Sequence, residues 1–167
     1  MTLPKTLLLL ALLSGLSGVA AAHAEKPGAV KAETVAKKQW QWGRAGDAGR
    51  VTRTIAVQML DTMRFVPDRV DVKQGETVKF VVRNDGKIPH EMVIGIKKTI
   101  DEHAAQMMKH PGMEHDEPYS VRLAAGKKGA IVWHFNRPGE FDFACLIPGH
   151  FQAGMAGKIR VIAAQGK

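Results

Sequence analysis

The chain has 167 residues, a formal net charge of +8, 45% hydrophobic residues and a single cysteine. That length suits one domain with a core of its own, and one cysteine excludes an internal disulfide. The basic residues are scattered and match no recognised nucleic-acid motif, which argues against a nucleic-acid partner.

The N-terminus reads M-T-L-P-K, an apolar run over residues 7–13, then small residues ending in Ala22-His23-Ala24. The apolar core is too short to span a bilayer and carries the flanks of a secretory signal, so residues 1–24 are expected to be removed on export. No later stretch is long and apolar enough to span, so no membrane insertion is expected after cleavage. The leader holds one basic residue, Lys5, and no acid. Nearly all the positive charge therefore stays with the exported chain, where it affects steering more than fold. In an exporting compartment a lone thiol is free, shared between chains, or held by a metal.

Residues 25–50 are rich in Ala, Lys and Gly and read as a flexible N-terminal segment. Trp40 and Trp42 run against that reading, and docking on the domain is expected for them. The domain itself is expected over residues 51–167. From Thr52 the period becomes two, with Ile55, Val57 and Met59 alternating with polar or small residues. Val70 and Val72 make a second strand, and Val78, Phe80 and Val82 a third. Asn84-Asp85-Gly86-Lys87 is a turn, Pro89 fixes the chain before His90, and a strand follows over residues 91–96.

Residues 97–118 break the pattern. Thr99 is the expected N-cap of a short helix, with Asp101 and Glu102 in its first turn and Pro111-Gly112 beyond its end. Strands resume over residues 119–123, 130–135, 139–144 and 158–162. The spacings read as an antiparallel sandwich or barrel.

The densest chemistry lies in F-A-C-L-I-P-G-H-F-Q-A-G-M, residues 143–155, which places Cys145, His150 and Met155 between two strands. Thiolate, imidazole and thioether, with a further imidazole from His90, form the donor set of a trigonal copper site with a weak axial sulfur. Cys145 alone would be a small buried hydrophobe and Met155 a core filler; the combination carries the reading. Zinc has little use for the thioether. A binuclear copper centre would need a second cysteine, and a Cys-His hydrolase an oriented base and oxyanion hole that nothing signals. Catalysis is not expected. A second cluster, Met107, Met108, His110, Met113 and His115, is either a helix turning methionines to the core or a Cu(I)-collecting site.

The C-x4-H-x4-M loop, with a His opening an earlier strand, resembles the cupredoxins, the small copper proteins that include plastocyanin, azurin and pseudoazurin. The run over residues 109–159 is most similar to the copper-tolerance cupredoxins of the Gram-negative periplasm. The resemblance implies an all-β Greek-key β-sandwich with one short helical insertion, holding one type 1 copper. Cys145 would be the short covalent ligand, His90 and His150 the equatorial imidazoles, and Met155 the axial ligand. Asn84 would tie the two ligand loops together by hydrogen bonds. A redox or copper-handling protein partner is expected: Leu146, Ile147, Pro148 and Phe151 flank His150, and Ile88 and Pro89 adjoin His90, so the ligand loops should form an apolar contact patch around the edge of one imidazole. Copper tolerance is the implied role. A diffusible carrier of a respiratory or photosynthetic chain and a Cu(I) oxidase are the alternatives.

Overall fold

The computed structural model describes residues 38–113 and 116–164; the expected leader and His115 lie outside them. Eleven strands and one α-helix are described. The strands are β1 (Gln39–Trp40), β2 (Gly43–Ala45), β3 (Arg53–Leu60), β4 (Arg64–Val66), β5 (Arg69–Lys73), β6 (Thr77–Asn84), β7 (His90–Gly95), β8 (Ser120–Leu123), β9 (Lys128–His134), β10 (Gly139–Ala144) and β11 (Ala156–Ile162). The helix, α1 (Lys97–Lys109), lies between β7 and β8.

Two sheets form a sandwich. One has the order β1-β2-β9-β6-β3-β4, the other β5-β11-β10-β7-β8. Most neighbours are antiparallel, as expected. The pairs β3–β6 and β5–β11 are parallel instead. The alternation that the sequence shows is physical: β5 and β11 turn every second side chain inward, so Val70, Val72, Ile159 and Val161 are buried while their neighbours face solvent. Phe65 of one sheet meets Phe143 of the other edge to face at 5.0 Å, within a core that also holds Met59, Phe80, Trp133, Cys145 and Met155.

β7 is buried along its whole length. Its outer face is covered by α1, whose Ile100, Ala104 and Met107 form one stripe and pack on Val93, Ala144 and Leu146. The helix begins three residues before the expected start. Ile96 is the N-cap, and Thr99 lies inside the first turn, where its Oγ1 accepts the Ile96 N–H at 3.2 Å and donates back to the Ile96 carbonyl at 3.0 Å.

The segment read as flexible over residues 25–50 joins the sandwich from Lys38 onward. The tryptophans explain it. Trp42 is buried, its carbonyl accepts the Trp133 indole N–H at 2.8 Å, and β2 pairs with the edge of β9. Trp40 and Trp42 close around Tyr119 with ring centroids 5.5 and 5.3 Å away. Gly43 makes the approach possible: its φ is +126°, and a Cβ there would lie 2.4 Å from the His134 carbonyl oxygen. The expected docking of both tryptophans is what the structure shows.

Candidate metal centre

β10 and β7 are antiparallel neighbours, Ala144 facing Val93, so the end of β10 and the start of β7 reach the same edge of the sheet. Cys145 follows the last residue of β10, His90 is the first of β7, and Met155 immediately precedes β11. Three of the four expected ligands converge. Cys145 Sγ lies 3.3 Å from His150 Nδ1, and His90 Nδ1 lies 3.2 Å from His150 Nδ1. Among the described residues these three form the one group of His, Cys, Asp and Glu donors with a metal-like arrangement, all within 4.8 Å of one another.

The loop holding them is tied to itself. Cys145 N–H donates to the Met155 carbonyl, Met155 N–H to that of His150, and His150 N–H to that of Ile147, each at 3.0 Å. Met155 is fully buried in the main core that also holds Cys145. The bond that joins the two ligand segments is Glu91 N–H to Cys145 Sγ at 3.3 Å. The Asn84 amide takes another route: it donates to the carbonyls of Ile88 and Leu123, at 2.8 and 3.0 Å, and accepts Gly86 N–H. Fully buried, it braces the turn before His90 against β8.

Burial sets the electrostatics. It pushes the Cys145 thiol up to about 11, against the pull of the Glu91 and Ile147 N–H groups. Burial also raises the Glu91 carboxyl, with Arg122 drawing it back, and lowers His150, with His90 adding to that effect. Without metal the thiol therefore keeps its proton at neutral pH, while His150 is held toward its neutral, ligating form.

A residue with no ligand signature in the sequence completes the site. Asp61, in the turn between β3 and β4, places Oδ1 3.0 Å from His90 Nε2 and accepts the Lys87 N–H on Oδ2 at 2.7 Å. These bonds, Lys87 first and His90 next, hold its carboxyl below the usual range. Its sequence setting, Leu-Asp-Thr-Met after an alternating strand, signals only a turn.

The donor set fits copper. Separations of 3.2 and 3.3 Å suit ligands each about 2.0–2.3 Å from one ion, and imidazole with thiolate serves both copper oxidation states. The second cluster divides. Met107 is core volume beneath the ligand loop, Met113 is partly buried against the same cluster, and His110 and Met108 face solvent, Met108 at 54% exposure. Leu146, expected on an exposed patch, is also buried under α1, whereas Ile88 and Pro89 are exposed and Ile147, Pro148 and Phe151 are half-buried around a half-buried His150. His134 accepts or donates a bond with Thr77 Oγ1 at 2.9 Å, away from the centre, in keeping with a structural role.

Comparison with known proteins agrees with this geometry. A family model described as copper binding proteins of the plastocyanin/azurin family matches residues 51–162. The copper-resistant cuproprotein CopI of Rubrivivax gelatinosus is 52% identical over 120 residues, covering 72% of this chain and 73% of the relative. The protein of the same description from Pseudomonas aeruginosa is 34% identical over 149 residues, covering 72% and 82%. Among solved structures, auracyanin B aligns with a TM-score of 0.58 at 19% identity, over 67% of this chain and 90% of that one. Reduced auracyanin from Roseiflexus castenholzii gives 0.58 at 19%, over 67% and 98%. At those identities the likeness is one of fold, the cupredoxin sandwich.

Proposed function

Since the chain belongs to the plastocyanin/azurin family of copper-binding proteins, we propose that it is an exported copper-tolerance protein whose single redox-active centre is held by His90, Cys145, His150 and Met155. The observation that carries the reading is the convergence of two imidazole nitrogens and the lone thiol at one end of the sandwich. The relatives described as copper-resistant cuproproteins, which this chain matches over about 72% of its length, supply the tolerance role. The leader over residues 1–24 supplies export to the periplasm, and no described helix is long and apolar enough to cross a membrane.

Copper bound at this site supplies a one-electron Cu(I)/Cu(II) couple. The protein's part is to hold donors that change little between the two states. His90 is wholly buried and closes the inner side, and the loop over residues 145–155 is fixed by its own backbone bonds. The Glu91 N–H donates to Sγ and favours the thiolate once its proton has left. His150 is the one half-buried donor of the His-Cys-His group, so electrons reach a redox or copper-handling partner most directly through its edge. The role we assign to this arrangement is metal binding and electron exchange, carried by the His-Cys-His donor group.

The test is genetic. A strain lacking the gene is expected to grow poorly on copper, with and without oxygen, and to recover with the wild-type gene but not with Cys145→Ser. Full recovery with Cys145→Ser would overturn the reading. Normal copper growth without the gene, together with a defect in respiration, would favour the electron carrier instead.

A further inference from the structure

His90 is the most enclosed ligand, with no exposed surface. A neutral imidazole carries one N–H and one lone pair, so which nitrogen faces the metal depends on what the other one bonds. Its Nδ1 faces His150 and Cys145, and its Nε2 lies 3.0 Å from Asp61 Oδ1. Only one tautomer satisfies both sides: Nε2 donates to the carboxylate, which leaves the Nδ1 lone pair for copper.

The carboxylate is itself held. Lys87 N–H donates to Oδ2 at 2.7 Å. Gly86 leaves room for it, since a Cβ there would sit 2.0 Å from Asp61 Oδ1 and 3.1 Å from His90 Nε2. The turn before His90 and the turn after β3 thus meet through one anion, and that anion lies directly behind a ligand.

Resting on the ligand assignment above, we propose that Asp61 is a positioning residue for the copper centre, fixing the His90 tautomer and favouring Cu(II) over Cu(I) by its charge. A negative group behind an imidazole makes it a stronger donor and stabilises the more highly charged ion. Partners of this kind change metal affinity by about 10–100-fold. Asp61 is 38% exposed, so solvent screens part of its charge and the lower end applies.

Two variants separate tautomer from charge. Asp61→Asn keeps size and an accepting oxygen but no charge; Asp61→Ala keeps neither. In the metal-free protein, nitrogen NMR is expected to show the Nε2–H tautomer of His90 in wild type and Asp61→Asn, and its loss in Asp61→Ala. In the copper-loaded protein, both variants should weaken Cu(II) relative to Cu(I) about tenfold, a rise in reduction potential of about 59 mV. If Asp61→Ala fails to fold, Asp61→Asn decides the charge effect alone. An Nδ1–H tautomer in wild type, or an unchanged potential in Asp61→Asn, would overturn the proposal. A wild-type protein that takes up no copper would instead overturn the ligand assignment, and the tautomer measurement would still report on Asp61.

Discussion

Copper uptake should release a proton, and the amount follows from the burial of Cys145. Its thiol is pushed up to about 11 because the side chain is fully enclosed. At pH 7 it lies about four pH units below that value, so ionising it costs roughly 5 kcal/mol, which metal binding must offset. His150 is shifted the other way, toward its neutral form, and has no proton to yield at pH 8. Loading the metal-free protein at pH 8 in weak buffer, with an indicator dye, should therefore release about one proton per ion from the thiol. Apparent affinity should rise about tenfold per pH unit up to the thiol's pKa. Zn(II) serves as a control that cannot oxidise the thiol, and Cys145→Ser should release none. Copper uptake by the wild type without proton release, or equal release from Cys145→Ser, would refute the reasoning.

Other outcomes follow from the same structure. The folded thiol holds its proton more tightly than an unfolded one, which ionises near 9.0. The resulting stability of the metal-free protein is fully present below pH 9 and is lost as pH rises through about 11, by roughly 2–3 kcal/mol; urea unfolding across that window should show the decline, and Cys145→Ala should remove this share of it. Gly157→Ala would place a Cβ 2.2 Å from Phe143 Cζ and 2.6 Å from the Asp68 carbonyl oxygen, so its denaturant midpoint should fall by the equivalent of about 1–3 kcal/mol; an unchanged midpoint would mean that the core yields more than its packing implies. Phe151→Lys should slow electron exchange with a redox partner while leaving the visible spectrum nearly intact, and an unaltered rate would remove that patch from the contact. Met107→Leu should leave the number of Cu(I) ions bound by the reduced protein unchanged, since its thioether is core volume; a lost ion would return Met107 to the ligand list.

The parts of this protein that read directly from sequence are those set by local pattern. Period-two alternation marks β3, β5 and β6 because each buries one face, and the ligand loop announces itself because Cys145, His150 and Met155 share one short connection. Contacts between distant segments were harder to read. Asp61 looks like a turn residue until the sandwich brings it to His90, 29 positions away. Asn84 has the burial expected of a structural amide, yet its bonds run to Leu123 and Ile88 because β8 lies beside the turn. The low hydrophobicity that suggested a flexible segment up to Arg50 is outweighed by two indoles that find Trp133 and Tyr119 across the chain. Parallel pairing of β3 with β6 leaves no local trace, since either direction satisfies the same alternation.

The claim at the centre of this account is that Cys145, with His90 and His150, binds copper through its thiolate. The visible absorption of the protein loaded with Cu(II) tests it most directly, because a cysteine thiolate on Cu(II) gives an intense charge-transfer band that imidazole and thioether ligands do not. The wild type is expected to show that band with one copper per chain, and Cys145→Ser to lose it. A wild-type protein that binds Cu(II) and stays colourless would contradict the account.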